Sequence, residues 1–219
     1  MISFKIKYSD RFGEEETTGY TDGSNIRIVL REQLFSGSSF NMLEPELPFL
    51  HPEKFTLESG TLSECLFYAE LPIRIIQHNN KEPEQALLKG SFDYRQQKNL
   101  LNIELKLPDE EKTITATDGD MEDVLIKLQR QLPPAYKLTC CMTCRYSNYH
   151  PVGNNDMGSL VCFRKIKERT KEIHDKSSLF QIWDQAIAEN KLFTVQEFFI
   201  CKEFQPLRKT DWCYKSWED

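Results

Sequence analysis

Leu101-Asn102-Ile103-Glu104-Leu105-Lys106-Leu107 alternates apolar and polar residues without a break. A strand turns successive side chains to opposite faces, so Leu101, Ile103, Leu105 and Leu107 share a dry face and Asn102, Glu104 and Lys106 a wet one. Upstream, Ala86 to Tyr94 reads as its hairpin partner, turning through Gln96-Gln97-Lys98-Asn99. Further back, Phe55 to Glu58, Glu64 to Glu70 and Ile73 to Gln77 keep the extended pattern, with a polar loop from His78 to Pro83. At the start of the chain, Ile2, Phe4, Ile6 and Tyr8 fall on one face with period two. Asp10 to Gly13 reads as a hairpin turn, followed by a return strand through Tyr20, a second turn at Thr21 to Ser24, and a third strand from Ile26 to Arg31. Phe35 to Lys54 carries Ser36-Gly37-Ser38-Ser39 and three prolines, Pro45, Pro48 and Pro52, and reads as a long surface connection. The fold class expected is α+β. An antiparallel β-rich part over 1–116, a sandwich or a strongly curved sheet, precedes a smaller α+β part over 117–219. No clean linker divides them, so one continuous domain is the alternative.

The 219 residues suffice for a core that needs no cross-links, and 39% hydrophobic with 28% charged residues describes a globular chain. A net charge of −6 argues against a mainly electrostatic hold on nucleic acid or anionic lipid, both of which call for a cationic surface. No window approaches the roughly 20 apolar residues of a membrane span, and the N-terminus has no apolar run of signal-peptide length. The expected location is the cytoplasm, where seven cysteines serve as thiols or thiolate ligands and not as disulfides.

The periodicity changes after Thr117. Asp118 or Asp120 caps a helix in which Met121, Val124, Leu125, Leu128 and Leu132 recur every three or four residues, and Pro133-Pro134 ends it. Asp118, Asp120, Glu122 and Asp123 are explained by capping and by the positive helix end better than by a Ca²⁺ or Mg²⁺ site. Lys165 to Lys176 is a solvated, charge-dense face. Ser177 is expected to cap a second helix carrying Leu179, Phe180, Trp183, Ala186 and Ile187, and Leu192 to Cys201 reads as a final buried strand. The aromatic tail, with Trp212, Tyr214 and Trp217, is expected to fold back onto the body. His174-Asp175 has no partner nucleophile and reads as surface.

The chemistry concentrates between Cys140 and Arg164. Cys141-x2-Cys144 is the spacing that lets two thiolates reach one tetrahedral ion from a tight turn. Cys162 follows after seventeen intervening residues, and Cys201 ends the last expected strand. Zinc takes four ligands and thiolates suit a borderline-soft ion. The expected structural zinc site is therefore Cys141, Cys144, Cys162 and Cys201. His150 or Cys213 could supply the fourth ligand, and Cys140 could replace Cys141. Buried reduced thiols, a redox pair and an iron–sulfur cluster are the other readings. Tyr146, Tyr149 and His150 would pack the knuckle, while Gly153, Gly158 and Asn154-Asn155-Asp156 supply turns.

The order Cys-x2-Cys-x-Tyr-Ser-x-Tyr-x-Pro-x-Gly, then Gly158-x-Leu160-x-Cys162-Phe163-Arg164, Val195-Gln196-Glu197 and Cys201-x-Glu203-Phe204, resembles an uncharacterised bacterial family of unknown function. The resemblance spans Cys141 to about Phe204. It implies no reaction, but it implies that the four cysteines act together. The function expected is a non-enzymatic protein that binds another protein, such as a toxin or effector neutralised by an immunity-type protein. The alternative is a metal-dependent hydrolase whose zinc keeps a water position, with His150 or Glu197 assisting.

Overall fold

The protein, described by a computed structural model over residues 1–77, 82–95, 100–107, 113–151 and 156–217, is dominated by one antiparallel sheet. The expected turns at Gln96 to Asn99 and Gly153 to Asn155, and most of the loop from His78, lie outside those residues. One meander runs through β1 (Ile2–Asp10), β2 (Gly13–Thr21), β3 (Ile26–Leu30), β4 (Gln33–Gly37) and β5 (Glu44–Pro45). A small ribbon of β6 (Leu57–Glu58) and β7 (Thr61–Leu62) follows. A second meander comprises β8 (Leu66–Gln77), β9 (Glu84–Asp93), β10 (Leu100–Lys106) and β11 (Thr113–Asp118). The meanders join where β8 lies beside β1, giving the order β11-β10-β9-β8-β1-β2-β3-β4-β5.

Period-two patterning is realised in every long strand. In β10 the residues Leu101, Ile103 and Leu105 are buried and the residues between them are exposed. Phe4, Ile6 and Tyr8 of β1 share the same buried side, where Phe40, Phe67, Phe92 and Tyr94 meet as an aromatic cluster with ring centroids 4.6 to 6.3 Å apart. Such pairs add to the burial of their own large apolar areas. On the rim, Arg31 makes a bidentate pair with Asp10, whose second donor is the Tyr8 hydroxyl at 2.8 Å. Burial alone would raise the Asp10 carboxyl, but these donors hold it below its usual range.

Two expectations about the sheet are corrected. The connection from Phe35 to Lys54 contains β4 and β5, and Phe35, Phe40 and Leu43 are fully buried. Burial of these side chains outweighs the turn character of the serines and glycine, and Pro45 is tolerated because β5 is the edge strand. The separate segments Glu64 to Glu70 and Ile73 to Gln77 are one strand, β8. Pro72 falls between the half paired with β1 (Leu66 to Ser9 through Glu70 to Lys5) and the half paired with the next strand, β12 (Tyr136–Thr139).

The rest of the chain adds α1 (Met121–Gln131), β12, a three-stranded sheet of β13 (Ser147–Tyr149), β14 (Leu160–Cys162) and β15 (Phe193–Val195), and α2 (Lys176–Ala188). Helix α1 follows its sequence pattern: Asp120 accepts from the Asp123 N–H at 2.9 Å, Met121, Val124, Leu125 and Leu128 are buried against the sheet, and the helix stops at Leu132 before Pro133. In α2 the cap is Asp175, not Ser177: the Asp175 carboxylate accepts from the Ser178 N–H at 2.7 Å, and Ser178 returns the bond to the Asp175 N–H. The three-residue reciprocity of a capping box selects Asp175. The expected strand Leu192 to Cys201 is cut to β15, because Gln196 and Glu197 are fully buried and leave the sheet to bind loops. Val161, Phe163, Ile166, Ile173, Leu179, Ile182 and Ala186 form a second small core beneath α2, with Trp212 packed at its edge.

Candidate metal centre

The cysteine segment is fixed by backbone bonds before any side-chain chemistry is considered. After β12 the chain enters a single 3-10 turn, Cys141–Thr143, whose Cys144 N–H donates back to the Cys141 carbonyl at 3.2 Å. The Cys141 N–H donates to the Phe199 carbonyl and the Met142 N–H to the Glu197 carbonyl, at 3.0 and 2.9 Å. Cys144 forms an isolated bridge with Pro206. The loop after β15 is thus laced to the Cys-x2-Cys turn from both sides, which carries Cys201 toward it. Cys162 arrives from β14, the middle strand of the small sheet.

Cys141, Cys144, Cys162 and Cys201 lie in one region of the lobe, near enough for their sulfurs to influence one another's charge. Burial pushes the Cys141 thiol well above its usual value, and the sulfurs of Cys144, Cys162, Cys140 and Cys201 push it further. The Cys162 thiol is pushed up to about 11 by burial, opposed by an N–H donated from Arg164 and by its guanidinium. Cys201, half-buried, accepts from the Glu203 N–H at 3.4 Å and lies 3.7 Å from Arg164 Nη1. Cys162 and Cys201 therefore each accept an N–H from the residue two positions on. Cys140 faces a different task. Its sulfur caps the 3-10 turn by accepting from the Met142 and Thr143 N–H groups, and burial pushes it up to about 11. His150 and Cys213 line a separate cleft of about 340 Å³ with Glu122 and Tyr149; His150 packs edge-on against Trp183 at 4.8 Å, and the Cys213 thiol donates to the Lys215 carbonyl.

The donor set suits zinc better than the present spacing does. Zn–S bonds of about 2.3 Å place tetrahedral sulfurs about 3.8 Å apart. Among the described residues, three ligand atoms within 4.8 Å of one another occur at Asp118, Asp120 and Asp123 and not among the cysteines. A metal would have to draw the sulfurs inward. The acidic trio is accounted for locally: Asp120 caps α1 and Asp118 pairs with Lys127.

Lys215, which carries no signal in the sequence, decides the electrostatics. It is 8% exposed, and its Nζ donates to the Cys144 carbonyl at 2.7 Å and to Ser147 Oγ at 3.2 Å, both neutral acceptors. Burial lowers its pKa, while the sulfurs of Cys213, Cys144, Cys141 and Cys140 resist that fall. Nothing in an isolated tail lysine announces such burial. Its neighbours Trp212 and Trp217 do announce a tail that folds back, and Trp217 is buried.

Val195-Gln196-Glu197 holds the loops that support the turn. Gln196 accepts from Thr21 Oγ1 at 2.6 Å and donates to the Ser38 carbonyl at 3.0 Å, tying this segment to the large sheet. The Glu197 carboxyl accepts from the N–H groups of Gly158 and Ser159 at 2.7 and 3.2 Å. Burial pushes it up to about 7 against those bonds. Gly158 has φ +77°, and a Cβ there would meet the Ser38 carbonyl oxygen at 2.5 Å, so glycine is required twice over. Asp156 accepts from the Tyr94 hydroxyl at 2.9 Å and is pushed up to about 6 by burial.

Fold and site together define a β-rich α+β protein in which a large antiparallel sheet carries a cysteine-bearing lobe. The chain belongs to DUF6304, a family of unknown function, whose model matches residues 2–147. The match takes in the large sheet, α1 and the Cys-x2-Cys turn, and ends before Cys162 and Cys201. No curated protein and no solved structure gave a match.

Proposed function

We propose that this is a cytoplasmic, non-enzymatic binding protein of bacterial type, possessing a C-terminal lobe pinned by structural zinc at Cys141, Cys144, Cys162 and Cys201. Buried Lys215 carries the metal reading. Four thiolates around Zn²⁺ leave a charge of −2; the ammonium of Lys215, buried at the Cys144 carbonyl, and the guanidinium of Arg164, against the Cys201 sulfur, would offset it. The pattern from Cys141 to Phe204 then works as one unit, in which Glu197 and Gln196 hold the turn and the cysteines hold the ion.

The partner reading rests on the uncovered face of the large sheet. Lys5, Lys7, Tyr68, Glu70, Lys89 and Glu104 line a groove of about 600 Å³ there, and Tyr68 is half exposed at its centre. Interleaved charges of both signs around a solvent-facing tyrosine suit another protein, because aromatics anchor interfaces and paired charges set register. A toxin neutralised in the manner of an immunity protein is the partner class proposed. A photo-crosslinker placed at Tyr68 in the producing cell should trap one discrete protein, lost in a Lys89→Glu variant of unchanged melting temperature. Trapping that Lys89→Glu leaves intact contradicts this face. The open-site hydrolase alternative is favoured by one observation, the half-buried position of Cys201 at a cleft wall. X-ray absorption at the zinc edge separates the two: four sulfurs mean a closed site, three sulfurs plus oxygen an open one.

A further inference from the structure

The cleft on the far side of Cys201 has a character opposite to that of the whole chain. It is an open cleft of about 760 Å³ between the middle of β8, from Pro72 to Arg74, and the loop Phe199 to Glu203. Arg74, Arg164, Lys165 and Lys202 line it, with Glu203 as the carboxylate among the lining residues. Glu203 is already paired with Lys167 at 2.6 Å. Arg74, Lys165 and Lys202 have no carboxylate within ion-pair distance among the described residues. Four cations therefore converge in one recess of a protein whose net charge is −6. A recess with low-dielectric walls focuses such a field and raises the local concentration of anions.

Two of the cations are held in place beforehand. Arg164 Cζ sits 4.9 Å from the Phe193 ring centroid while its Nη1 touches Cys201 Sγ, and Lys165 Nζ lies 4.2 Å from the same ring. Fixing a guanidinium in advance removes most of the ordering cost that a ligand would otherwise meet. Apolar surface from Ile2, Pro72 and Phe199 completes the lining, and the volume lies within the roughly 300–1,000 Å³ of small-molecule sites.

We infer that this cleft binds a phosphate-bearing small molecule of about nucleotide size. A single carboxylate would leave most of the positive charge uncompensated, whereas a di- or polyphosphate matches it, and planar guanidinium groups pair with phosphate oxygens bidentately. The inference does not depend on the protein partner, and Arg74, Lys165 and Lys202 serve it whether or not Arg164 balances a metal at Cys201. Inorganic pyrophosphate is the probe, titrated calorimetrically into the full chain as purified, with citrate as an equally charged carboxylate comparison. Saturable pyrophosphate binding is expected, at least about tenfold tighter than citrate and about tenfold weaker in both Arg74→Gln and Lys202→Gln. Lys202 is exposed, so Lys202→Gln keeps the test valid if Arg74→Gln is unstable. No saturable pyrophosphate heat at about 1 mM, equal binding of citrate, or undiminished binding in Lys202→Gln would overturn the inference.

Discussion

Glu197 and Asp156 are buried carboxyls without a cation in an ion pair to either among the described residues, and their protonation is tied to folding. In the unfolded chain they titrate near their ordinary values of 4.5 and 3.8; in the fold burial holds them near 7 and 6. The folded protein therefore binds more protons between about pH 4 and 7, so their contribution to stability is full below that window and is lost as pH rises through it. Urea unfolding at pH 5, 6 and 7 should show stability falling with pH. Glu197→Gln should flatten the fall between about pH 4.5 and 7, each tenfold difference in proton affinity between fold and unfolded chain being worth about 1.4 kcal/mol. Parallel curves for parent and variant would contradict the assignment. Lys215 gives a second test at this scale. Lys215→Met removes charge-assisted bonds to Cys144 and Ser147, a loss of about 2 kcal/mol. If Lys215 also balances metal-bound thiolates, the loss measured before chelation exceeds that measured after it; equal losses would place Lys215 in a purely structural role.

At the scale of elements, the alternating strands and α1 were legible because their burial follows a simple period that one sequence displays. Phe4, Ile6 and Tyr8, and Met121, Val124, Leu125 and Leu128, are buried as their spacing demands. The segment around Phe40 was not legible, because Ser36-Gly37-Ser38-Ser39 signals a loop locally while Phe40 is held by Phe67 and Phe92 from β8 and β9, far along the chain. Phe40→Ala should cost about 3–5 kcal/mol in chemical denaturation, where a surface loop residue would cost almost nothing. Asp120→Ala, removing the α1 cap, should cost about 1 kcal/mol by the same assay. The role of Gln196 was equally hidden, since its partners Thr21 and Ser38 lie more than 150 positions away. The Cys-x2-Cys spacing pointed correctly to a tight turn, but nothing local could show that Cys140 caps that turn.

For the molecule as a whole, the cysteine lobe is welded to the large sheet by β12 and by Gln196, whose side chain binds Thr21 and Ser38 and whose N–H donates to the Gly23 carbonyl. Loosening that lobe should propagate into global stability, so a metal bound there would act as a clamp across both. Net charge and strand content were readable from composition. The cationic lining of the cleft beside Cys201 was not, because Arg74, Arg164 and Lys202 come to it from distant segments. The most direct measurement is elemental analysis of protein purified without added metal, with Cys141→Ser and Cys201→Ser in parallel. The account predicts about one zinc per chain, lost in both variants together with a large drop in melting temperature. Metal-free protein whose variants melt with the parent would contradict it and leave the four cysteines as ordinary thiols.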